Sequence, residues 1–251
     1  MAGPSISVIL TTHGRTALLG DALRDVAAQS HAPLEVRLAD DGGGTDPWSL
    51  PALPLLELLV VPVDARQPGG ARNAAAADAR GEVLAFLDDD DRWTRDHLAG
   101  FAAAFADPGL VFGWRDCDVV REVVDAEGVR TVTDRRRIAR DWDEAMMRVN
   151  DYLPPSAWAV RRELFDALDG FDPGFRFSED WDFVLRAAAR TRPRRVPGAT
   201  VEVRLREQGN TSADFGPERL DCLARLAARH GLPPLEPRTF WEVARVAGEA
   251  P

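Results

Sequence analysis

Val83-Leu84-Ala85-Phe86-Leu87-Asp88-Asp89-Asp90-Asp91 is an apolar run that ends abruptly in four carboxylates. With Gly81 in front of it, the run reads as a buried parallel strand, because a strand covered on both faces is apolar at every position rather than at alternate ones. Ligand sites of open α/β sheets gather at the carboxyl ends of such strands. Most acidic runs are solvated loops. Carboxylates crowded at a strand end repel one another, however, and a divalent cation taking oxygen ligands from two or three of them relieves that cost. The junction predicts a metal site.

Outward from that strand, the pattern alternates. Ile6 to Thr11 is apolar and β-rich, His13-Gly14-Arg15 breaks it, and Leu19, Ala22, Leu23 and Val26 follow at helical spacing. A second strand is predicted over Leu34 to Ala39, ending in Asp40-Asp41-Gly42-Gly43-Gly44, and a third over Leu56 to Val61, ending near Pro62. Gly69-Gly70 opens a helix expected over Ala71 to Arg80, with Gly81 as its C-cap. Strands alternating with helices predict a parallel sheet whose carboxyl edge collects Thr11, Asp41 and Asp88 to Asp91 on one rim.

Beyond Trp93 the alternation stops. Leu110 to Trp114, Cys117 to Val124 and Val129 to Thr133 are short strand candidates, with Asp125-Ala126-Glu127-Gly128 as a hairpin turn. Trp158 to Val160 reads as a strand entered through Pro154-Pro155-Ser156, and Arg161 to Leu168 as a short helix ended near Gly170. Ser178 is placed to cap a helix from Glu179 to about Arg190, with acidic residues in its first turn as the helix dipole favours. Two further helices are expected near Pro217 to Arg229 and Thr239 to Val246. The chain divides into a βα half (1–93), a half that leaves that pattern (94–216) and a helical tail (217–251), fused in one globule.

Composition excludes several chemistries. Every basic residue apart from four histidines is arginine, so a lysine Schiff base and a Gly-Lys-Ser/Thr P-loop are both ruled out. A net charge of -10 argues against general nucleic-acid binding, which needs positive charge against phosphates. The clusters Arg135-Arg136-Arg137 and Arg192 to Arg195 read as solvated surface, with anionic substrates or an anionic membrane face as the alternative. Arg, Ala and Gly richness suggests a GC-rich bacterial genome. Cys117 and Cys222 show no Cys-x-x-Cys spacing, and the start lacks a basic segment with an apolar signal core. No run reaches the ~20 apolar residues needed to span a bilayer. A cytoplasmic, reduced protein is expected, peripheral at the inner membrane face if its substrate is lipid-linked.

Five ordered blocks carry a resemblance: Ser7-Val8-Ile9-Leu10-Thr11-Thr12-His13-Gly14-Arg15, Asp40-Asp41-Gly42-Gly43-Gly44-Thr45-Asp46, Gly70-Ala71-Arg72-Asn73, Leu87-Asp88-Asp89-Asp90-Asp91 and Ser178-Glu179-Asp180-Trp181-Asp182. Together the chain resembles the inverting family 2 glycosyltransferases. That resemblance implies the GT-A fold, an α/β Rossmann-like nucleotide-diphospho-sugar transferase architecture with a mostly parallel central sheet flanked by helices. It implies transfer of a sugar from a nucleotide-diphosphate donor to an acceptor hydroxyl by single displacement, aided by Mg²⁺ or Mn²⁺. The acceptor would be a glycan, a lipid-linked species or a small molecule, with no nucleic-acid partner.

By motif position, the resemblance makes Asp90 and Asp91 the metal ligands, Asp91 foremost, with the register within Asp88 to Asp91 left open. An all-oxygen ligand set without nearby histidine or cysteine disfavours zinc. Thr11, Asp41, Arg72, Asp88, Asp90 and Glu179 fall on donor-binding positions: Asp41 toward the base, Arg72 toward the phosphates, Asp88 toward the sugar or ribose. Asp180 falls on the general base; an unperturbed carboxyl pKa of ~3.9 leaves it ionised at neutral pH. Phe175, Phe177 and Trp181 would wall the site or belong to the core. The resemblance makes 1–93 the nucleotide-sugar-binding half and 94–216 the acceptor-binding half with the catalytic base, and the segment 114–150 is assigned to the acceptor side because it leaves the βα pattern. Two departures from the family are His13-Gly14, where Tyr-Asn is usual, and Gly42-Gly43 in place of Gly-Ser. A non-catalytic sugar-binding protein on the same fold is the competing class; a sugar nucleotidyltransferase is disfavoured because the Gly-rich first loop and later lysine of that class are missing.

Overall fold

In the computed structural model, which describes residues 3–42, 44, 56–124, 130–206 and 213–248, the apolar runs become strands of one sheet. The first half contains β1 (Ile6–Thr12), α1 (Thr16–Ala27), β2 (Glu35–Asp41), β3 (Leu58–Val63), α2 (Pro68–Ala76) and β4 (Val83–Asp88). Strands β1 and β2 are buried at every position, as strands covered on both faces must be. β3 continues through Pro62 to Val63, beyond its predicted end. It lies at the sheet edge and pairs only with β2, so the missing proline N–H costs no ladder bond.

Helix α2 differs from expectation at both ends. Pro68 starts it in the first turn, where a missing N–H is harmless, and it ends at Ala76, with Ala77 as C-cap. Gly81 is therefore not a cap. A Cβ there would lie 2.4 Å from the Ser7 backbone nitrogen, so glycine is needed for the close approach of the chain to β1.

The second half comprises β5 (Arg92–Trp93), α3 (His97–Ala104), β6 (Phe112–Val124), β7 (Arg130–Ile138), α4 (Glu144–Met147), a 3-10 turn (Pro155–Ala157), β8 (Trp158–Arg161), α5 (Arg162–Ala167), α6 (Glu179–Ala188), β9 (Arg194–Leu205), α7 (Pro217–His230) and α8 (Phe240–Ala247). Sheet order is β3-β2-β1-β4-β8-β6-β9-β5, with β7 also on β6. β1 to β4 pair in parallel, β8 runs antiparallel between β4 and β6, and β9 returns parallel to β6. The two strand candidates at 110–114 and 117–124 are one long strand, β6; the expected turn at 125–128 lies outside the described residues. Helix α3 and strand β9 have no counterpart in the sequence prediction. β9 was masked by its opening, where Arg194-Arg195 reads as surface and Pro197-Gly198 as a turn; instead Arg195 pairs with Asp116, and the β6–β9 register shifts near Asp116.

Three ties dock the C-terminal helices onto this sheet. Fully buried Asp182 of α6 accepts from Arg229 and His230 of α7 and from Arg186 of its own helix. The Arg225 and Arg229 guanidiniums lie over the Phe175 ring. Trp241 of α8 is covered by Arg121 and Arg136, with guanidinium carbons 4.4 and 4.9 Å from its ring. Helix α8 starts with a capping box between Thr239 and Glu242.

Burial pushes the Asp182 carboxyl upward, but the bonds from His230, Arg186 and Arg229 outweigh it and hold the group at about 2. A depressed folded pKa stabilises above the unfolded value and loses that contribution as pH falls toward 2. Asp182→Asn should therefore cost on the order of 2 kcal/mol at neutral pH and flatten the acid limb of stability between roughly pH 4 and 2, read by urea denaturation across that range.

Candidate active site

The carboxyl ends of β1, β2 and β4 form one rim. Thr11 and Asp88 are register partners across β1 and β4, and the Thr11 hydroxyl donates to Asp88 Oδ1 at 3.1 Å. Asp41, at the end of β2, accepts from the backbone N–H groups of Ala65 and Arg66 at 2.8 and 3.0 Å, folding the segment after β3 over the rim. His13 is hydrogen-bonded through Nδ1 to the Asp41 carbonyl, tying the loop after β1 to the end of β2. Gly43, Thr45 and Asp46 lie outside the described residues.

Within the acidic run the four carboxylates have different surroundings. Asp89 turns away from the cavity and is fully buried, accepting from Thr12 Oγ1 at 2.6 Å and Arg15 Nε at 3.1 Å. Asp88, Asp90 and Asp91 face a cavity of about 250 Å³. Asp90 takes Arg15 and Arg206 at 2.9 and 2.8 Å, and buried Asp91 accepts the Arg204 backbone N–H at 3.1 Å. Ser156, in the 3-10 turn, donates to Asp91 and is bonded to the Asp88 backbone nitrogen at 3.1 Å. Burial, then Asp90 and Asp88, push the Asp91 carboxyl well above the usual range. The run thus concentrates negative charge that its arginines only partly offset.

Across the cavity stands the start of α6. Arg72 of α2 is buried and bridges the two sides: Nη1 to Glu179 at 2.7 Å, Nη2 to Asp88 at 2.7 and 3.0 Å. Burial opposes its charge, but Asp88, Glu179 and Asp180 outweigh that and raise its pKa. Gly69, one turn earlier, lets α2 approach α6; a Cβ there would lie 2.9 Å from Glu179 Cγ. Asn73 holds the Phe171 backbone through both its N–H (2.9 Å) and its carbonyl (2.7 Å), fixing the segment that leads into α6. Ser178 sits in the N-cap place with φ 62°, in the left-handed region, and its side chain makes no capping bond, contrary to expectation. Such strain at a non-glycine residue is tolerated where surrounding contacts enforce it.

Burial, then Asp180, push Glu179 up to about 8 against the pull of Arg72. Burial also raises Asp180, which Arg72 and the Trp181 backbone N–H partly counter. A third carboxylate joins them. Asp151, just before Pro154-Pro155, lines the same cavity, and burial followed by Asp180 and Glu179 raises it well above the usual range, only the Leu153 backbone N–H lowering it. Carboxylates so grouped cannot all ionise together, and the proton is best placed on the member farthest from arginine compensation.

The cavity therefore brings together Arg72, Asp88, Asp90, Asp91, Glu179 and Asp180; Thr11 and Asp41 stay on the rim beside it. Phe177 and Trp181 line it, whereas Phe175 lies in the core under Arg225 and Arg229. Of the described residues in 114–150, only Val149 and Asn150 reach the cavity, and another wall comes from the C-terminal tail through Arg219, Leu223, Arg238, Phe240 and Val243. Asp151, Arg15, Arg204, Arg206 and this tail wall were missed in the sequence, because each reaches the site by a long-range contact that no local spacing signals.

Residues 7–168 match the model of Glycosyl transferase family 2. The chain belongs to this family. Against YwdF of Bacillus subtilis, described as an uncharacterized glycosyltransferase, this glycosyltransferase is 32% identical over 237 residues, covering 94% of its own length and 87% of YwdF. Its fold is that of Staphylococcus aureus TarS 1-349 in complex with UDP-GlcNAc (TM-score 0.66, 20% identity, 97% of this chain and 71% of that one). It is likewise that of the mannosyltransferase PcManGT from Pyrobaculum calidifontis in complex with GDP-Man and Mn²⁺ (TM-score 0.61, 21% identity, 98% and 69%). The expected family 2 GT-A glycosyltransferase fold is thus the one found.

Arg72→Gln removes the bridge and leaves the Asp88 and Glu179 carboxylates facing each other across the cavity. Breaking a buried pair from one side should cost about 3 kcal/mol of stability, measured by chemical denaturation.

Proposed function

We propose that this glycosyltransferase is an inverting, divalent-metal-dependent enzyme that moves a sugar from a nucleotide-diphosphate donor to an acceptor hydroxyl by single displacement. The observation that carries the reading is the placing of the Asp180 carboxyl on the same cavity as Asp88, Asp90 and Asp91, with Arg72 holding the two sides at a set separation. Donors of this class accompany both solved neighbours, UDP-GlcNAc with TarS and GDP-Man with PcManGT. The base would be received beside Asp41 and Thr11, and Arg72 with Asp88 and Glu179 would position the sugar and phosphates.

Asp180 takes the proton from the acceptor hydroxyl as that oxygen bonds to the anomeric carbon. The bond from that carbon to the diphosphate breaks with its electron pair going to the leaving nucleoside diphosphate, and the anomeric centre inverts. Aspartate suits this role because burial raises its proton affinity above that of a free carboxylate while Arg72 and the Trp181 N–H keep ionisation accessible. Burial and the neighbouring carboxylates raise Glu179 and Asp151 as well, so the group holds its protons in common.

A cation fits this donor set. The ligands on offer are all oxygens, and Asp91 lies so close to Asp90 and Asp88 that its negative charge is strongly disfavoured. No group of three or more His, Cys, Asp or Glu among the described residues could hold a metal alone. Mg²⁺ or Mn²⁺ would be held by Asp90 and Asp91. Its contribution would be to neutralise charge on the departing diphosphate. No helix among the described residues is long and apolar enough to cross a membrane, so the acceptor, lipid-linked or not, would be met from outside the bilayer.

Asp180→Asn should retain nucleoside-diphosphate binding by calorimetry while transfer, followed by mass spectrometry of the product, falls by roughly 10² to 10⁴. Unchanged turnover would remove Asp180 from the role of base. In the wild type the rate should rise with pH along an acid limb lying above the ordinary carboxylate range of ~4, because a base with raised proton affinity is lost as pH falls through its own pKa. Chelation of divalent ions should abolish transfer and weaken donor binding, and Mn²⁺ should restore both.

A further inference from the structure

Ser178 stands where glycine would be at ease. Its φ of 62° and ψ of 24° lie in the left-handed region, in which a side chain with a Cβ is strained. A serine just before a helix usually caps it by accepting a backbone N–H, but the Ser178 side chain makes no capping bond. Among the described residues its hydroxyl has no other hydrogen-bond partner either, and it is not sealed in the interior. Ser178 lines the cavity, one residue ahead of Glu179 and two ahead of Asp180. The hydroxyl is idle in the fold and open to the cavity.

Asp151 presents a second open oxygen. Its Oδ1 accepts the Leu153 backbone N–H at 3.0 Å, whereas Oδ2 has no hydrogen-bond partner among the described residues and is likewise not sealed in the interior. Asp151 lines the same cavity, within electrostatic reach of both Asp180 and Glu179. Its place is fixed from both sides. Pro154 and Pro155 stiffen the chain that follows, and the Trp181 indole N–H donates to the Met147 carbonyl at 2.8 Å, binding the preceding segment to α6. Strain at a residue beside a reacting group points to use by a ligand when the fold draws nothing from the side chain.

We propose that Ser178 and Asp151 are specificity-determining residues that hold a second hydroxyl of the acceptor, on the carbon next to the one whose oxygen reacts. The inference rests on the transfer proposed above, with Asp180 as base. The acceptor is then a vicinal diol, as in a sugar ring or a polyol, rather than an isolated alcohol. Its second hydroxyl donates to Asp151 Oδ2 and accepts from Ser178 Oγ, while the reacting hydroxyl meets Asp180. Protonation of Asp151 leaves the contact intact, because a substrate hydroxyl and a serine can each accept as well as donate. Two directed bonds on the neighbouring oxygen set the rotation of the acceptor relative to the base, which in-line displacement requires.

The test uses the ¹⁵N-labelled full chain with Mn²⁺ and, in separate samples, saturating UDP, saturating GDP or no nucleotide. Cyclohexanol, cis-1,2-cyclohexanediol and trans-1,2-cyclohexanediol are titrated and followed by amide chemical shifts. At least one diol should bind about fivefold tighter than cyclohexanol. That preference should fall to about twofold in Ser178→Gly and in Asp151→Ala, and to about parity in the double variant. Ser178→Gly should also raise the urea midpoint, because glycine relieves the left-handed strain. Loss of diol preference in a more stable protein is a result that a purely structural serine would not give. Equal binding of cyclohexanol and both diols in the wild type, or a preference that survives both substitutions, would overturn the proposal. If Asp151→Ala loses its folded spectrum, Ser178→Gly decides alone. Saturating UDP-GlcNAc or GDP-mannose should leave the diol bound; its displacement by either would assign the two residues to the donor sugar and count against the acceptor assignment. Failure of both UDP and GDP to bind counts against the donor reading, and the titration without nucleotide still decides on Ser178 and Asp151.

Discussion

Arg72 is the side chain on which the site depends. It leaves a short helix that follows the third strand, is buried, and places one arm of its guanidinium on Asp88 at the end of β4 and the other on Glu179 at the start of α6. A buried guanidinium is tolerable only when its charge is met, and a rim of aspartates is tolerable only when some of its charge is neutralised. Each requirement satisfies the other. Because the guanidinium is rigid and planar, the bridge also sets the separation between the end of β4 and the start of α6. Gly69 and Asn73, on the same helix, serve that end, one by permitting contact with α6 and the other by clasping the Phe171 backbone.

The electrostatics of the cavity follow from this arrangement. Six arginines approach or line it, Arg15, Arg72, Arg204, Arg206, Arg219 and Arg238, yet each is committed to particular carboxylates or carbonyls. The carboxylates of Asp91, Asp151, Glu179 and Asp180 are pushed toward their protonated forms. A site built this way suits the transfer proposed above, in which a proton and a diphosphate leaving group change hands at close range. Its absence of lysine is consistent with that design, since every cation has the fixed charge and fork geometry of arginine.

Legibility in the sequence divided along the chain. The βα alternation up to Asp88, the acidic run at a strand end, and the Glu-Asp pair at the start of α6 were readable because each is a local signal: apolar continuity, an abrupt change of polarity, and charges at a helix N-terminus. Errors were local as well. Helix α2 was placed three residues late because Gly69-Gly70 was read as a helix opening and Pro68 was not, and Gly81 was read as a cap when its role is contact with Ser7. Strand β9 went unseen because Pro197 and Gly198 interrupt it and arginines begin it, although it pairs with β6 from Arg194 to Leu205. The C-terminal tail was recognised as helical, but nothing in its amphipathic spacing indicated that it would wall the cavity.

Sequence alone determined the elements and the chemical kinds of group available: parallel strands from continuous apolar runs, a rim of carboxylates, an all-arginine cation set and a helix that opens on two acids. Tertiary structure decided which of those groups meet. It turned Asp89 inward to Arg15 and Thr12 while Asp88, Asp90 and Asp91 face the cavity, brought Asp151 beside Asp180, and carried Arg219 and Arg238 across more than a hundred residues from the acidic run to the same space. The physical reason is that local spacing governs backbone conformation and which face is apolar, whereas proton affinity, charge compensation and cavity shape depend on neighbours distant in the chain, which packing alone brings into contact.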